Sequence, residues 1–201
     1  MSADRQHDLE NTILRGLEKR YPGPQAFRAL SAPVWRTGAL SEKEKHLVAV
    51  AIAQITQCAF CIEHHTEIGR KLGATLDENL AVSYISAALE AISQAQITIA
   101  HQEIAVRDEP AIVGTAIAEA RSRFVQEAFS TEVLSPGFRW LVAAAAAYTQ
   151  ANESHRVAFH EAALATDIVQ AALEEAYAIA VVLRSGAVYA HTLHIAAAYA
   201  E

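Results

Sequence analysis

Apolar residues recur every three to four positions along most of this chain, and sustained two-residue alternation is nearly absent, so the pattern predicts helices throughout. Leu47, Val50 and Ala51 begin one such face. Ser41 stands before it with Glu44 three residues on, the arrangement of an N-cap closed by a capping box. A second helix is predicted to end near Gly73, and a third to run from about Asp77 to His101. Later, Ser135-Pro136 places a cap and a first-turn proline at the start of another helix. The last helix is predicted from about Ile168 to Tyr199, with a bend at Ser185-Gly186. Arg107-Asp-Glu-Pro110 reads as a break.

The pattern also repeats. Leu40, Ser41, Leu47 and Val48 reappear as Leu134, Ser135, Leu141 and Val142, 94 positions on in each case, and Leu89 and Thr98 meet Leu183 and Thr192 at the same offset. The expected architecture is therefore all-α: an N-terminal helical extension over residues 1–35, a first helical unit over 36–106, and a second, related unit over 107–201.

Composition narrows the function more than the fold. The chain has 201 residues, 52% of them hydrophobic and 19% charged, with a formal net charge of −7, and no basic cluster suits nucleic acid. The opening MSADRQHDLE is polar and unlike a secretory signal. The longest apolar runs, Leu141 to Tyr148 and Ala176 to Leu183, fall short of the roughly 20 residues a bilayer span needs. A cytoplasmic, reducing location is expected, where a close cysteine pair points to catalysis or metal binding.

Such a pair is present. Both cysteines of the chain lie in Cys58-Ala-Phe-Cys61, and His65 follows four residues later. At the repeat offset Cys58 corresponds to Asn152, a strong N-cap type, so a helix is expected to start at 58. Cys61 then falls in the first turn, where free N–H groups and the helix dipole lower a thiol pKa. Cys61 and His65, at i and i+4, share a helix face, so the imidazole is placed to take the thiol proton. Cys58 is expected to be the more exposed sulfur. The second unit carries Asn152, His155 and Phe159 at the corresponding positions, and Trp140 where the first has His46, so it is expected to lack this chemistry.

The segment SEKEKHLVAVAIAQITQCAFCIEHHTEIGRKLGAT, with its Cys-x-x-Cys-x-x-x-His core, resembles the alkyl hydroperoxidase D-like branch of the carboxymuconolactone decarboxylase family, and Leu183 to His191 resembles the last helix of such domains. The resemblance implies an alkyl hydroperoxidase D-like helical fold, often assembled from several copies, and peroxidase chemistry through a disulfide cycle. By that resemblance Cys61 attacks the hydroperoxide, Cys58 resolves, and His65 belongs to a proton relay. A thiol or dithiol protein would supply electrons, and a homo-oligomer, trimer or dimer, is expected. No flavin, haem or nucleotide cofactor is implied. The family's relay glutamate is replaced by His46, which can also move protons near neutral pH. Phe60 stands where the family often has Tyr or His.

Rival readings stay open on the sequence. Cys58, Cys61, His65 and either His64 or His46 could form a zinc site, although no metal is expected on the favoured reading. A lyase acting on a lactone acid would need an anion pocket, and no arginine cluster is visible. A non-catalytic helical assembly would use the cysteines only as redox-sensitive groups. Tyr84, Tyr148, Tyr177, Tyr189 and Trp140 are expected in the core or an interface, and His191 and His194 in structural roles.

Overall fold

The structure is a computed structural model; it describes residues 3–199, with side chains from residue 8 onward. Two helices open the chain, α1 (Ala3–Arg20) and α2 (Pro22–Ser31), followed by a 3-10 turn (Ala32–Trp35). The first unit is α3 (Glu42–Ile55), α4 (Ala59–Lys71) and α5 (Leu76–Ala91). A hairpin, β1 (Gln96–Ala100) and β2 (Glu103–Arg107), leads to α6 (Ala116–Ser130). The second unit is α7 (Pro136–Thr149), α8 (Glu153–Leu164) and α9 (Gln170–Ala190), and α10 (Thr192–Ala198) follows. The fold is all-α and alkyl hydroperoxidase D-like, as expected.

The repeat is a repeat of backbone. The N-caps Ser41, Cys58 and Thr75 match Ser135, Asn152 and Val169, each pair 94 residues apart. Even the turn before the second helix recurs, with left-handed φ values of 54° at Gln57 and 58° at Ala151. Ser41 and Glu44 form the expected capping box, with Ser41 N–H donating to Glu44 Oε2 at 2.8 Å. The central helices of the two units are buried almost all round: Leu47 to Ala53 on α3 and Trp140 to Ala147 on α7 form one continuous core with α9. Runs of alanine let these helices approach closely, since a methyl group is the largest spacer between backbones.

Two expectations fail at the ends of helices. The third helix stops at Ala91, and residues 96–107 form an antiparallel hairpin with Ala100 opposite Glu103. Its two-residue turn is His101-Gln102, with φ of 53° and 64°. A primed turn needs left-handed φ at both positions, usually signalled by Asn or Gly, and neither residue type is present here. The last helix is interrupted at His191, after Ala190, and runs straight through Ser185-Gly186. Gly186 serves close packing instead: a Cβ there would meet the Phe27 ring at 3.4 Å. The expected break at 107–110 begins one residue later, at Asp108 after β2, and is held by Arg121, which bonds Asp108 and Glu109 at 2.6 Å each.

By length and composition alone, Gln170–Ala198 is apolar enough to cross a bilayer. Its inner face, with Leu173, Ile179, Val182 and Leu183, is buried in the shared core.

Candidate functional site

The geometry of the cysteine pair follows from a helix start. Cys58 is the N-cap of α4, with its sulfur accepting the Cys61 N–H at 3.2 Å. Two positions separated by one turn bring the Cα atoms to 5.2 Å, and the two sulfurs are joined in a disulfide. The expected free N–H of the first turn is thus used by Cys58 rather than by Cys61. Cys58 was expected to be the more exposed sulfur; the two residues are buried alike, at 6% and 5% exposed, and Cys61 lines a cavity of about 510 Å³. The N-cap position aims the Cys58 side chain back over the helix end, while Cys61 lies on the face that α1 and α2 roof over.

The reversal between α3 and α4 brings His46 onto His65. Their Nδ1 atoms are 3.0 Å apart, so with both rings neutral one donates and the other accepts, and the two hold complementary tautomers. Burial, with the charge of His64 second, lowers His46 to about 4. Burial again, then His64 and His46, holds His65 well below its ordinary value. Trp35 covers both rings, stacked at 4.9 Å on His46 and 5.1 Å on His65. Trp35 went unnoticed in the sequence because it lies in a 3-10 turn, outside any periodic face. His64 stacks on Phe60 at 5.6 Å, and both line the cavity. His191 and His194 pair with each other at 6.2 Å and do not line it.

The loop behind Trp35 is clamped from the second unit. Glu175 on α9 accepts the N–H groups of Ala39 and Leu40 and pairs with the buried Lys45 ammonium at 3.0 Å, which also donates to the Arg36 carbonyl. Gly38 leaves the room this requires, because a Cβ there would lie 1.9 Å from Glu175 Oε1.

The second unit shows what the same backbone does without the chemistry. Trp35, His46 and His65 correspond at the repeat offset to Phe129, Trp140 and Phe159. Those three rings stack on one another, with centroids 4.9, 5.7 and 6.0 Å apart, and close the equivalent space with apolar packing. Asn152 caps α8 and bonds the Ser93 carbonyl, and His155 bonds the Ala95 carbonyl at 2.8 Å.

Among the described residues, no group of three or more His, Cys, Asp or Glu side chains is arranged to hold a metal ion. The zinc set weighed from the sequence is not assembled: the two sulfurs are bonded to each other, and His46 and His65 turn Nδ1 atoms inward. Arginines do converge here, which the sequence did not reveal, since Arg15 on α1 and Arg28 on α2 both line the cavity.

A neutral imidazole pair makes stability depend on acid. Above about pH 6.5 both folded and unfolded rings are neutral. Between there and about 4 the unfolded chain binds protons that folded His46 refuses, so stability falls as pH falls. His46 alone is expected to cost about 2 kcal/mol at pH 5. The fall in Tm between pH 7.5 and 5, read by calorimetry, should be about 4–8 °C smaller in His46→Gln than in the wild type. Equal falls would remove the argument.

A model of the carboxymuconolactone decarboxylase family matches residues 23–100, the segment holding Trp35, His46, both cysteines and His65. The chain is similar to "Uncharacterized protein 4 in cox locus" of Paracoccus denitrificans, 40% identical over 84 residues, which is 42% of this chain and 74% of that protein. No solved structure matches.

Proposed function

Because this chain belongs to the carboxymuconolactone decarboxylase family, whose members are generally enzymes, we propose that its Cys58–Cys61 pair reduces hydroperoxides by cycling between dithiol and disulfide. The observation that carries this reading is a redox-capable pair whose Cys61 lines a cavity together with two neutral imidazoles in hydrogen-bond contact.

The Cys61 thiol gives its proton to His65 as His65 passes its Nδ1 proton to His46. The thiolate attacks the terminal oxygen of ROOH, the O–O bond breaks, and RO⁻ takes the proton back to leave as ROH. Cys61 is now a sulfenic acid. The Cys58 sulfur, stabilised by the Cys61 N–H, displaces hydroxide from it, and the disulfide forms with loss of water. A dithiol protein in a reducing compartment then restores both thiols by exchange, becoming oxidised itself. Relay through a pair suits this site because no imidazolium stays on the more deeply buried ring. Exposed apolar residues outside the site, Leu76, Val188 and Ile195 among them, fit the proposed homo-oligomer.

Mass spectrometry of reduced protein after one equivalent of peroxide tests the scheme. A transient 16 Da adduct on Cys61, followed by loss of two hydrogens from the dithiol protein, is expected. An unchanged dithiol ends the peroxidase reading. A lyase acting on a lactone acid remains the second reading, favoured by the two cavity arginines; turnover of such a substrate by the Cys58→Ser/Cys61→Ser protein would support it.

A further inference from the structure

The N-terminal extension roofs the cavity and changes its character. Leu14 on α1, Phe27 on α2, Ile68 on α4 and Val182 on α9 supply apolar wall, and the volume of about 510 Å³ falls within the usual range for sites that enclose a small organic molecule. Charge gathers at the α1–α2 side. Arg15, Glu18 and Arg28 line the cavity and also an adjoining hollow with Lys19. Among the described residues that is three cations against one acid, in a chain whose net charge is −7. Glu18 is neutralised by Arg28 at 2.7 Å, whereas among the described residues Arg15 has no carboxylate partner.

Tyr189 lines the same space. Among the described residues the buried Tyr189 hydroxyl has no hydrogen-bond partner, although Tyr189 lines the cavity and stacks on Phe27 at 4.6 Å. Burial, with the nearby Glu18 charge second, raises its pKa, so the phenol keeps its proton and can donate. Buried hydroxyls almost always find a partner, and a tyrosine whose hydroxyl lacks one among the described residues, on a cavity that Arg15 also lines, marks a place for an anionic oxygen.

We propose that this cavity takes an amphipathic organic hydroperoxide with a carboxylate at one end, held by Arg15 and the Tyr189 hydroxyl, its carbon chain along Leu14 and Phe27 and its peroxide at Cys61. The inference deepens the peroxidase reading and rests on it for the peroxide end only. Selectivity for the acid comes from α1, which precedes the segment the family model matches. Arg28 holds Glu18, which among the described residues leaves Arg15 as the charge without a carboxylate.

The test separates binding from redox chemistry by using ligands that cannot react. Trp35 lines the cavity, and Trp140, the other tryptophan, is fully buried away from it, so fluorescence reports occupancy. Oxidised wild-type protein is titrated with decanoate and with decanol. Decanoate is expected to bind about tenfold more tightly, since a charged hydrogen bond contributes roughly that factor or more. The preference should fall below about twofold in Arg15→Gln and fall partly in Tyr189→Phe. Equal affinities in the wild type, or a preference that survives Arg15→Gln, overturn the proposal. A retained preference in a protein whose Cys61 does not react with peroxide would instead remove the peroxidase reading and leave the carboxylate site standing.

Discussion

Replacing Cys61 by Ser is expected to lower peroxide consumption by on the order of 10³-fold or more, as removal of a nucleophile does. A serine hydroxyl is not ionised near neutral pH, and its oxygen cannot be oxidised by a hydroperoxide. Cys58→Ser should behave differently. Its Cys61 still attacks, one equivalent of peroxide is consumed, and the sulfenic acid persists because the resolving sulfur is gone. Turnover with a dithiol reductant, followed as loss of cumene hydroperoxide, distinguishes the two. The asymmetry follows from the structure: Cys61 lines the cavity next to His65, while Cys58 sits at the N-cap with the Cys61 N–H on its sulfur. Wild-type turnover by Cys61→Ser would sink the scheme, and a sulfenic acid trapped at position 58 in that variant would reverse the two roles.

Trp140→Ala is expected to cost about 3–5 kcal/mol, the usual price of truncating a large buried ring. For a chain of this size that is a fall in Tm of roughly 6–20 °C. Trp140 is fully buried, stacks on Phe129 and Phe159, and donates its indole N–H to Gln102 in the hairpin turn. Its removal opens a cavity among three packed rings and frees the turn of the hairpin. Trp35→Ala, in the first unit, should cost distinctly less stability, because Trp35 is only partly buried and its neighbours are polar. Thermal denaturation of the two variants side by side checks the contrast. A larger loss in Trp35→Ala would mean that the ring over the histidines, rather than the aromatic plug, holds the fold. The expected order expresses how the two units divide the work: the same backbone niche is closed by apolar rings in one copy and kept polar and open to a cavity in the other.

Much of this could be read in the chain. Ser41 and Glu44 signal a helix start, and a constant spacing ties Cys58 to Asn152, so the sequence alone puts the cysteine at an N-cap. These signals are local: a cap and its box are decided within four residues. The hairpin at 96–107 was missed for the opposite reason. His101 and Gln102 carry none of the usual turn chemistry, and the strands persist because α8 packs on β1 and α6 on β2. The reach of His46 to His65 required a chain reversal, and the residue that makes it, Gln57 in a left-handed conformation, has no distinctive side chain.

Periodicity, capping residues and the spacing of Cys58, Cys61 and His65 by themselves determined an all-helical protein, repeated at a fixed offset, with a thiol pair at a helix mouth. Those are properties of neighbours along the chain, and backbone geometry turns them directly into structure. Tertiary packing alone decided that Trp35 lies over the two histidines, that Glu175 of the second unit clamps the loop behind it, and that Arg15 and Tyr189 meet in one cavity. Arg15 and Tyr189 are 174 positions apart in the sequence, and no local rule brings such residues together. Only the burial of helix faces against a common core fixes which distant side chains share a wall.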